Sequence, residues 1–505
     1  LIRRSTMNIV NLFLSAAERY ADHTAIIEKD KTISYAQLQI GVRETAAYFT
    51  SMGIKSGDRV LVFVPMSIDL YRIVLALFYI GATAVFLDEW VSKKRLEICC
   101  KLADCTGFIG VFKARIFAFF SSELRQIPIK LSMSKRKQAL VSPLDVEPSQ
   151  TALITFTTGS IGVPKAADRS HEFLKEQFDA LIDEIDPNPA DIDMSVLPIV
   201  LFVNLGIGCT SIIADFKMTK PDKMNPQKIA KQLKDHKANR LIASPFFVKR
   251  LAEHAIEKGF VYEGIEKNFT GGAPVFPNEA QLYLKAFNNA VSTIVYGSTE
   301  AEPISSVDAK QLVDDSRVVN NGLLVGELYH KIEMRIIEIR EETIGHCVKA
   351  GFEKLKLEQG KVGEIVVAGS HVLKQYFKNE DAFRKNKIVV DGTVWHRTGD
   401  SGYVNNEQLY LTGRCKQLIA IDEGYISPFI VESKLQDING ITNGTVIQQE
   451  KEVLLIVETS LGVTEVATLV NGIQYDRIIV VDLIPKDPRH NSKIDYELLK
   501  QQLEN

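Results

Sequence analysis

The sequence predicts an α/β fold with largely parallel sheets, and three features of the chain point to it. Strand-like runs alternate with helical patterns through most of the chain before Trp395, as expected of sheets covered by helices. From Leu328 to Ile339 apolar and polar residues alternate more cleanly, and Glu364–Ala368 is a second short β-prone run, so β-structure of another kind, a small barrel-like part, is expected there. At the far end, Tyr496–Glu504 reads as a helix.

In chain order, Val60–Val64 is a strand, Ile68–Tyr79 a helix, and Ala84–Leu87 a strand again. Gly81 divides the apolar stretch Ile73–Leu87, which is in any case too short to span a bilayer. Val141–Gln150, with two prolines, is a linker. It leads into Ala152–Phe156, a buried strand. Met194–Ala214 is long enough to span a membrane, but Pro198, Asn204, Gly206 and Gly208 interrupt it and no Lys/Arg asymmetry frames it. A buried strand, turn and helix fits it better. Arg240–Ala243 is a strand preceding the helix Pro245–Lys258.

A chain of 505 residues makes two or three domains. With 46% hydrophobic and 24% charged residues it can bury a large core and has the composition of a soluble globular enzyme. A net charge of −3 leaves no global basic field, so nucleic acid is not an expected partner, and Lys135–Lys137 reads as a solvated loop. Six cysteines are scattered without C-x-x-C spacing or a Cys/His cluster, which excludes an obvious zinc site and fits a reducing, cytoplasmic setting. Leu1–Thr6 carry two arginines but lead into no apolar core of signal-peptide length, so no secretory leader is expected. Integral membrane association is not expected either.

The most informative segment is Thr157–Lys165, TTGSIGVPK, directly after the strand Ala152–Phe156. Glycines let backbone N–H groups turn inward, hydroxyls add donors, and Lys165 adds a mobile cation, which together make a nest for a polyphosphate. It is not a Walker loop: valine and proline separate the second glycine from the lysine, and Ala166 follows. Alone, the segment reads equally well as a Gly/Ser-rich surface turn. Four later segments accompany it: YGSTE (Tyr296–Glu300), WHRTGD (Trp395–Asp400), GRCKQLIA (from Gly413) and PKDPRHNSKID (Pro485–Asp495).

In this order and spacing the segments resemble the adenylate-forming superfamily, in its AMP-forming acyl-CoA synthetase and AMP-acid ligase branch. ISYAQL (Ile33–Leu38) and GIKSGDRV (Gly53–Val60) fit the same pattern, so the resemblance covers nearly the whole chain. It implies a large N-terminal domain over residues 1–412 that binds ATP and acid, followed by a small mobile α+β domain over residues 413–505. The expected reaction is R–COO⁻ + ATP → R–CO–AMP + pyrophosphate, with Mg²⁺ as cofactor and a small carboxylic acid, fatty or aryl, as substrate. CoA is the implied acceptor, or else a carrier protein or an internal hydroxyl.

The resemblance also assigns residues. Thr157, Thr158, Gly159, Ser160, Gly162 and Lys165 would grip the β- and γ-phosphates. The turn Gly271, Gly272, Ala273, Pro274 would border the nucleotide. In Tyr296–Gly297–Ser298–Thr299–Glu300, Tyr296 would face adenine, Thr299 would donate to the α-phosphate, and Glu300 would hold Mg²⁺. Asp400 would accept from the ribose hydroxyls with Arg414 in support. Lys416 takes the hinge position. Lys493 would bridge the substrate carboxylate and the α-phosphate, offsetting the repulsion between two anions.

The chain departs from the pattern in places. Ile161 replaces a hydroxyl of the phosphate loop and loses one donor. Gln417 stands where aspartate is common and Ala420 where lysine is. Glu423 takes a glycine position near the pantetheine path, with Gly424 one residue late, and a carboxylate there would obstruct a thiol. Adenylation is therefore better supported than thioesterification, and Ile161 with Glu423 also leaves open, well behind, a nucleotide-binding relative with little catalysis. Pro198–Gly206, PIVLFVNLG, replaces an aromatic-His pattern; Phe202, Val203 and Leu205 would line an apolar acyl space or simply pack the core. This segment and the RHNSKI ending are also similar to β-lactone synthetases, which adenylate a β-hydroxy acid and cyclise it without CoA.

Overall fold

A computed structural model describes residues 7–87, 93–138, 142–157, 164–218, 220–315, 322–422, 424–486 and 494–504. The chain divides into two compact units. The first comprises Leu1–Ala243, Thr299–Glu302 and Ser370–Lys385, and the second Ser244–Ser298, Pro303–Gly369 and Asn386–Asn505.

The first unit holds a six-stranded sheet in the order Ile129–Leu131, Gly107–Gly110, Arg59–Phe63, Thr83–Phe86, Thr151–Thr157, Lys165–Ser170. Its pairs are parallel except the last, where Thr151–Thr157 and Lys165–Ser170 run antiparallel with Thr157 opposite Lys165. Helices cross between the parallel strands. Ile68–Tyr79 starts at Ser67, whose side chain accepts from the Leu70 N–H, and buries almost every side chain. This apolar helix explains why Ile73–Leu87 reads as long and hydrophobic without crossing a membrane.

A second sheet in this unit runs Arg240–Ala243, Ile192–Ser195, Thr210–Ile213, Thr24–Glu28, Lys31–Ser34, parallel except for the final hairpin. Met194–Ala214 therefore folds as strand, helix Pro198–Ile207 and strand Thr210–Ile213, adding a strand to the sequence reading. Asn204, which breaks the apolar run, turns inward. Its amide donates to Asp193 Oδ2 at 2.7 Å and reaches Ser211 Oγ at 3.1 Å, satisfying polar groups that the strands bury.

In the second unit the parallel strands Lys267–Gly271 and Val291–Ser298 pair with Gly271 opposite Val295. The helix Pro245–Lys258 opens on proline and ends at Gly259, φ +69°, following the usual asymmetry of helix ends. Antiparallel pairing joins Leu323–Leu328, Gln408–Arg414, Thr393–Asn405, Gly363–Ala368 and Glu333–Ile337. These strands occupy the place of the barrel-like part that the sequence predicts. The run Leu328–Ile339 is the end of one strand, a turn and the strand Glu333–Ile337.

The C-terminal residues are α+β. Ile441–Gln449 and Glu452–Thr459 pair antiparallel, Arg477–Val481 adds a parallel strand, and the helices Pro428–Gln436, Val463–Leu469 and Tyr496–Glu504 cover them. The central strand is apolar from Val453 to Val457, where it packs on both faces. Leu455 and Val457 join a cluster with Leu435 and Val466, while Leu454 and Ile456 join another with Ile484 and Leu499.

Candidate active site

The first unit brings Lys165, Glu300 and Tyr376 together. Lys165 opens the strand Lys165–Ser170, immediately after the described end of the hairpin connection at Pro164. The segment Ser370–Lys385 runs along this strand: Tyr376 bridges to Ala167, and the Phe377 N–H donates to Ala166 O at 2.8 Å. The same segment fixes the YGSTE motif, because Val372 bridges to Ala301 and the Leu373 N–H donates to Glu300 O at 2.7 Å. Glu300 is thereby 7% exposed, its Oε1 accepting from the Tyr376 hydroxyl at 3.1 Å and lying 3.8 Å from Lys165 Nζ. Lys165 Nζ also lies over the Tyr376 ring, 5.5 Å from its centre. Burial and the Glu300 carboxylate push the Tyr376 phenol far up, so it stays a donor. Arg169, two pairs along the strand, donates to Thr299 O at 3.2 Å and orients that residue's backbone.

The second unit assembles Tyr296, Asp400 and Arg414. Tyr296 lies near the end of Val291–Ser298, and Asp400 pairs directly with Arg414 across two antiparallel strands. The Tyr296 hydroxyl donates to Asp400 Oδ2 at 2.7 Å, and Arg414 Nη1 lies 3.0 Å from Asp400 Oδ1. Burial, then the nearby Asp400 charge, raise the Tyr296 phenol well above its usual range. Thr398 braces the arrangement: its Oγ1 accepts from the Asp400 N–H at 3.0 Å and its carbonyl from Arg414 Nη1 at 3.3 Å. Gly399 before Asp400 has φ +72°, a left-handed turn that glycine takes without strain. The rest of WHRTGD is structural. Trp395 is buried, and Arg397 Nε and Nη2 pair with Glu364 Oε2 at 2.9 and 2.6 Å inside the fold.

Gly271–Pro274 forms a turn at the end of Lys267–Gly271. A side chain at Gly271 would meet Val295 O at 2.7 Å, whereas Gly272, φ +86°, opens to free space with Ala273 and Pro274 half-buried after it. Ser298 Oγ is buried with no hydrogen-bond partner among the described residues. Gly297 and Ser298 belong to the second unit, and Thr299 and Glu300 to the first, so the motif is shared by both. Lys416 is exposed in the short 3₁₀ turn Cys415–Gln417 that follows Gln408–Arg414. Thr158, Gly159, Ser160, Ile161, Gly162, Glu423 and Lys493 lie outside the described residues, as does the Thr157 side chain.

Sequence reasoning missed Tyr376, Thr398 and Arg169. Tyr376 carries no local signal, and only the strand-edge pairing of its segment reveals it. The apolar space expected at Pro198–Gly206 is partly as read. Phe202 and Val203 line a cavity of about 50 Å³ with Phe13, Leu75 and Phe178, while Leu205 is fully buried and does not line it. As formed, the cavity has room for water rather than an acyl chain.

Residues 13–377 match the family model described as AMP-binding enzyme. The chain belongs to that family. It is an adenylate-forming enzyme, similar over most of its length to AMP-forming acid ligases. It is 29% identical to an olefin beta-lactone synthetase of Xanthomonas campestris, covering 93% of this chain and 90% of that one. It is 24% identical to a 2-succinylbenzoate–CoA ligase of Enterococcus faecalis, covering 85% and 83%. Among solved structures, ATP-bound MatB from Rhodopseudomonas palustris superposes with a TM-score of 0.81 over 99% of both chains at 20% identity, a likeness of fold. No described helix of this AMP-binding enzyme is long and apolar enough to cross a membrane.

Proposed function

We propose that the protein activates a fatty or aryl carboxylic acid with ATP, forming an acyl-adenylate and pyrophosphate, and then passes the acyl group to CoA. The observation that carries the reading is the Asp400 carboxylate, with one oxygen on Tyr296 and the other on Arg414. Each carboxylate oxygen has a second lone pair, so ribose hydroxyls can be accepted without breaking either contact. Tyr296 is held as a flat, un-ionised ring for the base, and Gly272 leaves room for close approach.

Lys165 would meet the β- and γ-phosphates and exchange its contact with Glu300 for theirs. Glu300 would then be free to hold Mg²⁺, which takes one or two carboxylates together with phosphate oxygens and neutralises phosphate charge when bound. The donor fits: Glu300 offers a carboxylate oxygen, the hard ligand that Mg²⁺ takes, beside the cation Lys165 that would meet the phosphates. Thr299 would donate to the α-phosphate. Lys493 would hold the acid's carboxylate in line, so that its oxygen bonds to the α-phosphorus as the bond to pyrophosphate breaks. Residues 413–505 would act as the mobile lid. A cytoplasmic setting is in keeping with six free cysteines, three of them buried.

A second reading is favoured by the 29% identity to an olefin beta-lactone synthetase. In it, the acid carries a β-hydroxyl that attacks its own acyl carbonyl and expels AMP, with no CoA or carrier protein. Glu423, standing where the resemblance expects a glycine near the thiol path, is in keeping with the same reading. Exchange of labelled pyrophosphate into ATP over fatty, β-hydroxy and aryl acids, without CoA, tests the first step. Exchange with one class names the substrate; none across the panel, with ATP still bound, overturns the proposal. Adding CoA then divides the readings by whether AMP release depends on it.

A further inference from the structure

The helix Phe112–Phe119 turns most of its aromatic side chains outward. Ala114 and Ala118 face the core with Leu124 and Phe108, and Phe117 packs partly against it, while Phe112, Ile116 and Phe119, with Phe120 just after them, face solvent. Phe112 is 76% exposed, Phe119 69%, Phe120 67% and Ile116 46%. At 100° per residue these four fall on one stripe about 100° wide. They offer roughly 500 Å² of contiguous apolar surface, at the upper end of what a monomer shows without a partner. The Phe119 and Phe120 rings already pack edge to face, 5.6 Å apart.

The charges on this helix decide between possible partners. Its only ionisable residues are Lys113 and Arg115, both exposed. On the helical wheel they fall on opposite borders of the stripe; the next helix, Ser122–Gln126, carries one charge of each sign, the half-buried Glu123 and the exposed Arg125, so the cationic border rests on Lys113 and Arg115. An apolar stripe bordered by long cationic side chains suits an interface with hydrocarbon below and phosphate at the rim, where aromatic rings insert and the cations reach to the headgroups.

We propose that the helix Phe112–Phe119 docks the protein onto an anionic lipid surface, peripherally and reversibly. The test is co-sedimentation of the full chain with phosphatidylcholine vesicles and with vesicles containing 30 mol% phosphatidylglycerol (about a third anionic lipid, within the range where basic side chains respond). The expected result is binding to the anionic vesicles at least about tenfold tighter than to neutral ones, weakened by salt. Phe112→Ser with Phe119→Ser and Phe120→Ser should lower it at least about tenfold, and Lys113→Glu with Arg115→Glu should remove the anionic preference. Phe119→Ser alone serves should the triple variant not fold, and should weaken binding in the same direction. Absence of binding by the unaltered protein, or undiminished binding by the Phe variants, overturns the proposal. So does a concentration-dependent dimer that the same substitutions dissolve, which would make a second copy of the chain the occupant.

Discussion

At the residue scale, Asp400 holds two different donors in fixed directions, and its remaining lone pairs define where a ribose would sit. Asp400→Asn keeps the shape but loses the charge and one acceptor, since the amide nitrogen can only donate. ATP affinity should fall by about tenfold, the usual worth of a charged hydrogen bond, as read by isothermal titration. Unchanged affinity would remove Asp400 from the ribose role. In the proposed mechanism Lys493 would act on the reaction rather than on binding. Lys493→Ala should slow adenylation roughly 10²–10³-fold with ATP still bound, since one charge-stabilising donor is lost. A pyrophosphate exchange rate equal to that of the unaltered protein would exclude it from the chemistry. Lys165, Tyr296 and Glu300 were legible in the sequence because motifs name them. Tyr376 was not, because its partnership with Glu300 exists only through pairing of a distant segment with the strand Lys165–Ser170.

At the element scale, two features invite measurement. Gly326 sits at an irregularity of the strand Leu323–Leu328 with φ +86°, and a Cβ there would lie 1.8 Å from the Ser306 carbonyl oxygen. A backbone atom cannot swing aside, so Gly326→Ala should destabilise the fold by about 3 kcal/mol in urea unfolding. A loss under about 1 kcal/mol would show that the ladder yields at this point. The second feature is Glu432 on the helix Pro428–Gln436, enclosed with the hydroxyls of Tyr496 and Thr445. Burial raises its carboxyl to about 7, while the two hydrogen bonds pull the other way. The unfolded chain ionises this group near the ordinary value of about 4.3. Between that value and 7 the folded state therefore holds the extra proton, so its stabilising contribution is complete at low pH and fades as pH rises. Thermal midpoints should decline from about pH 4.5 to about 7 by a component that Glu432→Gln abolishes. If the Gln variant kept the same slope, other groups would be responsible. Periodicity made elements such as Pro245–Lys258 and Tyr496–Glu504 readable to the residue. The additional strand Thr210–Ile213 escaped because a short buried apolar run carries no period of its own.

At the scale of the whole molecule, the sequence motifs are distributed over two compact units, with YGSTE carrying the chain from one to the other. This arrangement was not legible: the boundary read from the motifs falls at residue 412, from the hinge position alone. The C-terminal residues nevertheless have apolar clusters of their own, around Leu455 and around Leu454, as a separately moving body requires. They also rest on the neighbourhood of the Gly271–Pro274 turn, where the Phe429 ring lies 5.2 Å from that of Phe276. A rotation at Lys416 would have to break this contact and the Ser427 hydroxyl's hydrogen bond to Thr412 O at 2.6 Å. With the Asn278 amide's hydrogen bond to Gln436 Oε1 at 3.4 Å, one aromatic contact and two hydrogen bonds together cost about 3 kcal/mol, low enough to be crossed in every turnover. Proline at the hinge fixes φ and restricts the residue before it. Lys416→Pro should therefore leave acid-dependent pyrophosphate exchange within about tenfold of the unaltered protein while slowing overall AMP release by at least about 10²-fold. Equal loss of both rates would place Lys416 in the first step, and loss of neither would mean that the two steps proceed without rotation there.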